Sequence, residues 1–91
     1  MDEIVKKRLE LQNRLKGEFP EAEITVKSYC EREIAVVKLN GSYSPDAADK
    51  IGKIREKALR EPFIQMRPNN GDSGFLLEGP SPNHLLAMFQ E

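Results

Sequence analysis

The apolar positions of this chain change period several times, and each change marks an element. From Asp2 to Lys16 they recur at helical spacing. Ile4, Leu11 and Leu15 fall together on a wheel, with Val5 and Leu9 flanking them. Asp2 and Glu3 open this helix and Gly17 follows it, which suits the helix dipole and a C-terminal stop. Its outer face holds Glu3–Lys7 and Glu10–Arg14 at the favourable spacing of four. Phe19-Pro20 forces an extended exit. From Glu23 to Tyr29 the pattern alternates, with Ile24 and Val26 on one side and Thr25, Lys27 and Tyr29 on the other, so a half-buried strand is expected. Cys30-Glu31-Arg32 is the expected hairpin turn, of open type because it lacks Asn-Gly.

The most β-rich run follows. Ala35, Val37 and Leu39 share one face, while Ile34 and Val36 share the other beside Lys38. A strand apolar on both sides is expected inside the sheet, or with its second face covered. After the Asn40-Gly41 turn, Ser44-Pro45-Asp46 signals a helix start by serine cap, first-turn proline and first-turn acid. This second helix is expected to reach Arg60, burying Ala47, Ile51, Ile54 and Ala58, with Ala48 and Leu59 beside them. Phe63 to Arg67 reads as a third strand, Asn70-Gly71 as a hairpin turn and Gly74 to Glu78 as a fourth strand. Ser81-Pro82 repeats the Ser-Pro start, and a short last helix is expected over Asn83–Gln90.

These elements predict one α+β domain over residues 1–91, a two-layer sandwich in the order α-β-β-α-β-β-α. Its four-stranded sheet is mainly antiparallel, with the first two helices on one face. The third helix is expected over an edge or part of the second face. A chain of 91 residues can build one modest core without metal or disulfide. Its halves do not align as a repeat.

Composition narrows the function classes. Fourteen bases against fifteen acids give a net charge of −1, so no global field steers the chain to nucleic acid or an anionic membrane; such binding would need a local patch. The single cysteine, Cys30, excludes an internal disulfide framework and fits a reducing compartment. With no leader-like segment and no long apolar run, a soluble cytoplasmic protein is expected. The chain has no tryptophan, the usual large interface anchor.

Candidate chemistry is sparse. Gly71-Asp72-Ser73-Gly74 resembles the nucleophile segment of chymotrypsin-like proteases over four residues. That chemistry needs a base, an orienting acid and an oxyanion hole on a much larger scaffold. The one histidine, His84, follows the serine, and Phe75 stands where those enzymes continue with glycine, so a turn-rich loop is the plainer reading. His84 and Cys30 are too few for a tetrahedral metal site. No cofactor, no metal and no catalytic activity are expected.

Two sets of residues are candidate binding features. Lys50, Lys53, Lys57 and Arg60 line the outer face of the second helix and could meet phosphates. Asp46, Asp49 and Glu56, however, offer helical partners to three of them. Leu85, Leu86, Met88 and Phe89 crowd the last helix, which either folds onto its own sheet or docks on a partner. Arg8 and Arg55 lie in or beside apolar arcs, where a charge must snorkel, pair with a carboxylate or face a partner.

The order helix, Phe-Pro, hairpin, helix, strand resembles the KH-like BolA proteins and the cytosolic domain of cation diffusion facilitators. Over Val5 to Leu59 it also resembles the DinI-like modulators of recombination. The chain lacks their functional motifs: the metal-binding histidine set, a Gly-x-x-Gly loop, an Arg-His-Arg run and an acidic second helix. The resemblance therefore implies a fold and no activity. The expected function is a small non-catalytic regulatory or adaptor module that acts through protein contacts, with a protein partner or a second copy of itself. The alternative is a nucleic-acid module using the basic face of the second helix. No membrane partner is expected.

Overall fold

The computed structural model describes residues 2–40, 44–69 and 73–90. They form α1 (Glu3–Glu18), β1 (Glu23–Tyr29), β2 (Arg32–Leu39), α2 (Pro45–Arg60), β3 (Gln65–Pro68), β4 (Ser73–Gly79) and α3 (Pro82–Ala87). The strands make one antiparallel sheet in the order β1-β2-β4-β3. The β1–β2 and β3–β4 hairpins are therefore joined through their inner strands, and β2 lies inside the sheet as its two apolar faces predict.

Register explains the core. Ile24 stands opposite Val37 and Val26 opposite Ala35. Val37 stands opposite Phe75, and Ala35 opposite Leu77; Met66 completes the row beside Leu77. All of these lie on one face of the sheet, and the helices cover it with Leu11, Leu15, Ile51, Ile54, Ala58 and Leu85. Phe19, at the Phe-Pro exit, packs edge-on against Phe75 with ring centres 5.5 Å apart. Gly74 has φ +116°, and a Cβ there would fall 1.9 Å from the Val37 carbonyl oxygen. Only glycine lets β4 approach β2 this closely.

The structure corrects several expectations. The third helix covers neither an edge nor the second face. It lies on the same face as the other two, because Leu85, Leu86, Met88 and Phe89 complete the core. Arg14 of α1 donates to the Phe89 carbonyl at 2.9 Å, and Lys57 of α2 donates to the Met88 carbonyl at 3.1 Å. Helices α1 and α2 thus satisfy carbonyls that a helix end leaves without partners.

Helix α1 continues through Gly17 to Glu18, one turn fixed by the bond from Phe19 N–H to the Leu15 carbonyl. Of its apolar residues only Leu11 and Leu15 are buried; Ile4, Val5 and Leu9 remain 48%, 47% and 55% exposed. The ion pairs differ too. Lys7–Glu10 and Arg14–Glu18 form, each at 3.5 Å, in place of Glu3–Lys7 and Glu10–Arg14. Arg14 turns towards α3, which takes it away from Glu10. Leu59, expected beside the buried stripe of α2, is exposed.

The first hairpin turn has two residues. Cys30 (φ 51°) and Glu31 (φ 63°) are both left-handed, which makes it type I′, and Arg32 already belongs to β2. Phe63 precedes β3 in a turn held by Ile64 N–H on the Glu61 carbonyl. The Asn70-Gly71 turn, Gly41 of the Asn40-Gly41 turn and Gly71-Asp72 of the protease-like segment lie outside the described residues.

Candidate interaction surface

With all three helices on one side, the other face of the sheet has no layer over it among the described residues. Period-two alternation places Glu23, Thr25, Lys27 and Tyr29 of β1 there, with Arg32, Ile34, Val36 and Lys38 of β2. Leu76 and Glu78 of β4 and Gln65 and Arg67 of β3 complete it. Ile34, Val36 and Leu76 sit at its centre, half-buried by their neighbours and outside the core cluster. Val36 stands directly opposite Leu76.

The rim of this face is polar and partly locked. Glu78 accepts from Arg32 Nε at 2.8 Å and from Arg67 Nη2 at 2.7 Å, tying β2, β4 and β3 together at one end. Arg32 also donates to the Phe63 carbonyl at 3.0 Å, and Phe63 itself is exposed. At the other end Lys38 faces Glu23 across the strands at 3.9 Å. Lys27, Arg32 and Arg67 outnumber Glu23 and Glu78 on this face, so it is locally positive although the whole chain carries −1.

The residues singled out from sequence have other surroundings. Leu85, Leu86, Met88 and Phe89 are buried in the chain's own core and present no surface to a partner. Arg8 makes a bidentate pair with Glu33, donating from Nε at 2.9 Å and from Nη2. Glu33 occupies the core face at the start of β2 with only 5% of its side chain exposed, so Arg8 serves as its counter-ion. That hydrogen bond, with Glu33's charge, raises the Arg8 pKa further against a smaller opposing effect of burial. Arg55 is exposed on α2, beside a groove of about 400 Å³ that also meets Leu59, Met66 and Arg67.

The basic stripe of α2 is not a free row of cations. Lys50 donates to the Glu18 carbonyl at 2.9 Å and lies 3.5 Å from Asp46. Lys57 is bound to α3 as described, and Lys53 pairs with Asp49 at 3.3 Å. The expected partnership of Glu56 with Arg60 does not form. All four bases border a cleft of about 330 Å³ between α2 and the ends of α1 and α3, together with Arg14, Glu18 and Phe89. Two of the four are therefore clamps that hold α2 to its neighbours.

His84 Nδ1 lies 2.7 Å from Ser81 Oγ at the start of α3, a capping arrangement. Ser73 opens β4 opposite Leu39. Among the described residues no group of three or more His, Cys, Asp or Glu side chains could hold a metal, and no helix is long and apolar enough to cross a membrane.

Sequence reasoning identified Ile34 and Val36 as a second apolar face but missed Leu76 and the Arg32–Glu78–Arg67 network. The signal for Leu76 was the unbroken run Phe75-Leu76-Leu77, which puts an apolar side chain on each face of β4. Comparison of the chain with protein-family models, curated proteins and solved structures finds no match.

Proposed function

We propose that this protein is a small non-catalytic regulatory or adaptor module whose working surface is the uncovered face of the sheet, and that its partner is a protein. The observation that carries this reading is the aliphatic centre of Ile34, Val36 and Leu76, framed by bases. A protein interface combines an apolar centre with a polar rim in this way. A single-strand nucleic-acid platform instead needs aromatic side chains under the bases. Among the described residues the strands place one aromatic on this face, Tyr29 at the far end of β1, and the exposed Phe63 stands at the same Arg32 end, with none at the centre. The excess of bases favours a partner that brings aliphatic or aromatic side chains together with carboxylates.

Selection from a random peptide display library tests this reading. Enriched peptides are expected to mix Leu, Ile or Phe with Asp and Glu, and to shift the amides of Ile34, Val36 and Leu76 on titration. Val36→Glu should abolish binding and leave the far-UV circular dichroism unchanged. Peptides that bind elsewhere, or an absence of selectable binders, would count against it.

The competing reading is nucleic-acid binding through Lys50, Lys53, Lys57 and Arg60. It draws on the gathering of these bases around one cleft. Fluorescence anisotropy of a mixed-sequence single-stranded oligonucleotide separates the two. Affinity that falls steeply with salt, and is lost in Lys53→Glu with Arg60→Glu, would favour the competing reading.

A further inference from the structure

The two edges of the sheet are unlike. The β3 edge is four residues long and ends in Pro68, features that discourage further strand pairing. The β1 edge runs seven residues, Glu23–Tyr29, without proline, glycine or bulge. A two-residue turn closes on a hydrogen-bonded pair, here Tyr29 and Arg32. Alternation then points the backbone groups of Glu23, Thr25, Lys27 and Tyr29 at β2, and those of Ile24, Val26 and Ser28 at the open edge. No described backbone group bonds to them there.

We infer that β1 is a self-complementary edge at which two copies of this chain pair antiparallel, with the two-fold axis at Thr25. In that register Ile24 bonds opposite Val26 of the second copy, and Val26 opposite its Ile24. On the uncovered face Glu23 meets Lys27 of the second copy, and Lys27 meets its Glu23, so the Glu–Lys pair forms twice, once on each side of the axis. Thr25 faces Thr25. Moving the axis to Ile24 or Val26 breaks both ion pairs, and moving it to Lys27 sets like charges together. The charge pattern thus selects one register among those the backbone permits.

Helix α1 supplies the rest of the contact. It packs over β1, and Arg14 marks the side it turns to α3. At about 100° per residue Val5 and Leu9 lie on the opposite flank, above the β1 edge. This accounts for Val5 and Leu9, two of the three apolar residues left half-exposed on α1. Pairing also runs the two uncovered faces into one eight-stranded platform. The inference does not rest on what that platform binds.

Sedimentation velocity of the full chain over a range of concentrations tests it, with circular dichroism confirming that each variant is folded. The wild type is expected to reach twice the chain mass of 10.3 kDa. Lys27→Glu and Glu23→Lys should each be monomeric alone, because each sets like charges across the axis twice. Mixed in equal amounts they should recover the dimer, since every contact then pairs Glu with Lys. A wild type that stays at the chain mass overturns the proposal. So does a dimer that survives either reversal, or reversals that the mixture does not rescue. Peptide binding at Ile34, Val36 and Leu76 is read separately, so failure of the pairing leaves the function test standing.

Discussion

At the residue scale, the tightest constraint is Gly74. Any side chain there meets the Val37 carbonyl, and its φ of +116° is one that other residues rarely adopt. Neither strain can be relieved alone, because β4 is pinned by β2 on one side and β3 on the other. Gly74→Ala is expected to destabilise the fold by at least about 2 kcal/mol in urea unfolding. An unchanged midpoint would mean that β4 can retreat from β2. Arg8 and Glu33 show a different constraint. Glu33 lies on the core face, where an unpaired carboxylate is costly, and Arg8 reaches it from α1 with two parallel bonds. Sequence marked Arg8 as odd because a base stood within an apolar arc. It could not mark the answer, since Glu33 is 25 residues away and looks like any exposed strand-end acid.

At the element scale, the β1–β2 hairpin carries its own conflict. A type I′ turn demands two left-handed residues, and here they are Cys30 and Glu31 rather than Asn-Gly. A side chain in that conformation costs roughly 1–2 kcal/mol relative to the right-handed one. Cys30→Asn with Glu31→Gly is therefore expected to raise stability by about 1–2 kcal/mol, read as a higher urea midpoint at unchanged slope. No gain would place the turn in a geometry other than type I′. The same hairpin shows what was legible. Alternation at Ile24, Val26, Ala35, Val37 and Leu39 identified both strands and the buried side of β1, because period two is written directly into the sequence. Which face of β2 meets the core was left open, since both are apolar. Turn length was not, since left-handed Cys and Glu are chosen by the pairing of the strands on either side. Helices α1 and α2 were legible from caps and stripes. Which side of the sheet α3 would choose was not, because an amphipathic stretch records that it needs a partner surface and says nothing of which one. The second apolar face of β2 was read correctly, but the third helix expected over part of it lies on the core face, and no described element covers it.

At the scale of the whole molecule, α3 decides whether the domain exists. Leu85, Leu86, Met88 and Phe89 are each at most 9% exposed, and α3 packs on both α1 and β4. Fully burying one such side chain stabilises a fold by about 1.5–3 kcal/mol. Losing all of them is comparable with the entire 5–15 kcal/mol that holds a typical domain together. Deletion of residues 81–91 would also uncover the sides of α1 and β4 that α3 packs against and leave Arg14 and Lys57 without their carbonyl partners. The truncated chain is therefore expected to lose its cooperative urea transition altogether. Ser81→Ala, which removes only the cap of α3, should cost about 1 kcal/mol and keep the transition. A truncated chain that still unfolds cooperatively near the wild-type midpoint would show that α1, α2 and the sheet close a core without α3. In that case the last helix would be free to leave, and its apolar side would again be available to a partner. With α3 retained in the core, its apolar side is closed to a partner, and the interaction proposals rest instead on the centre of the uncovered sheet and on the β1 edge with the flank of α1 beside it.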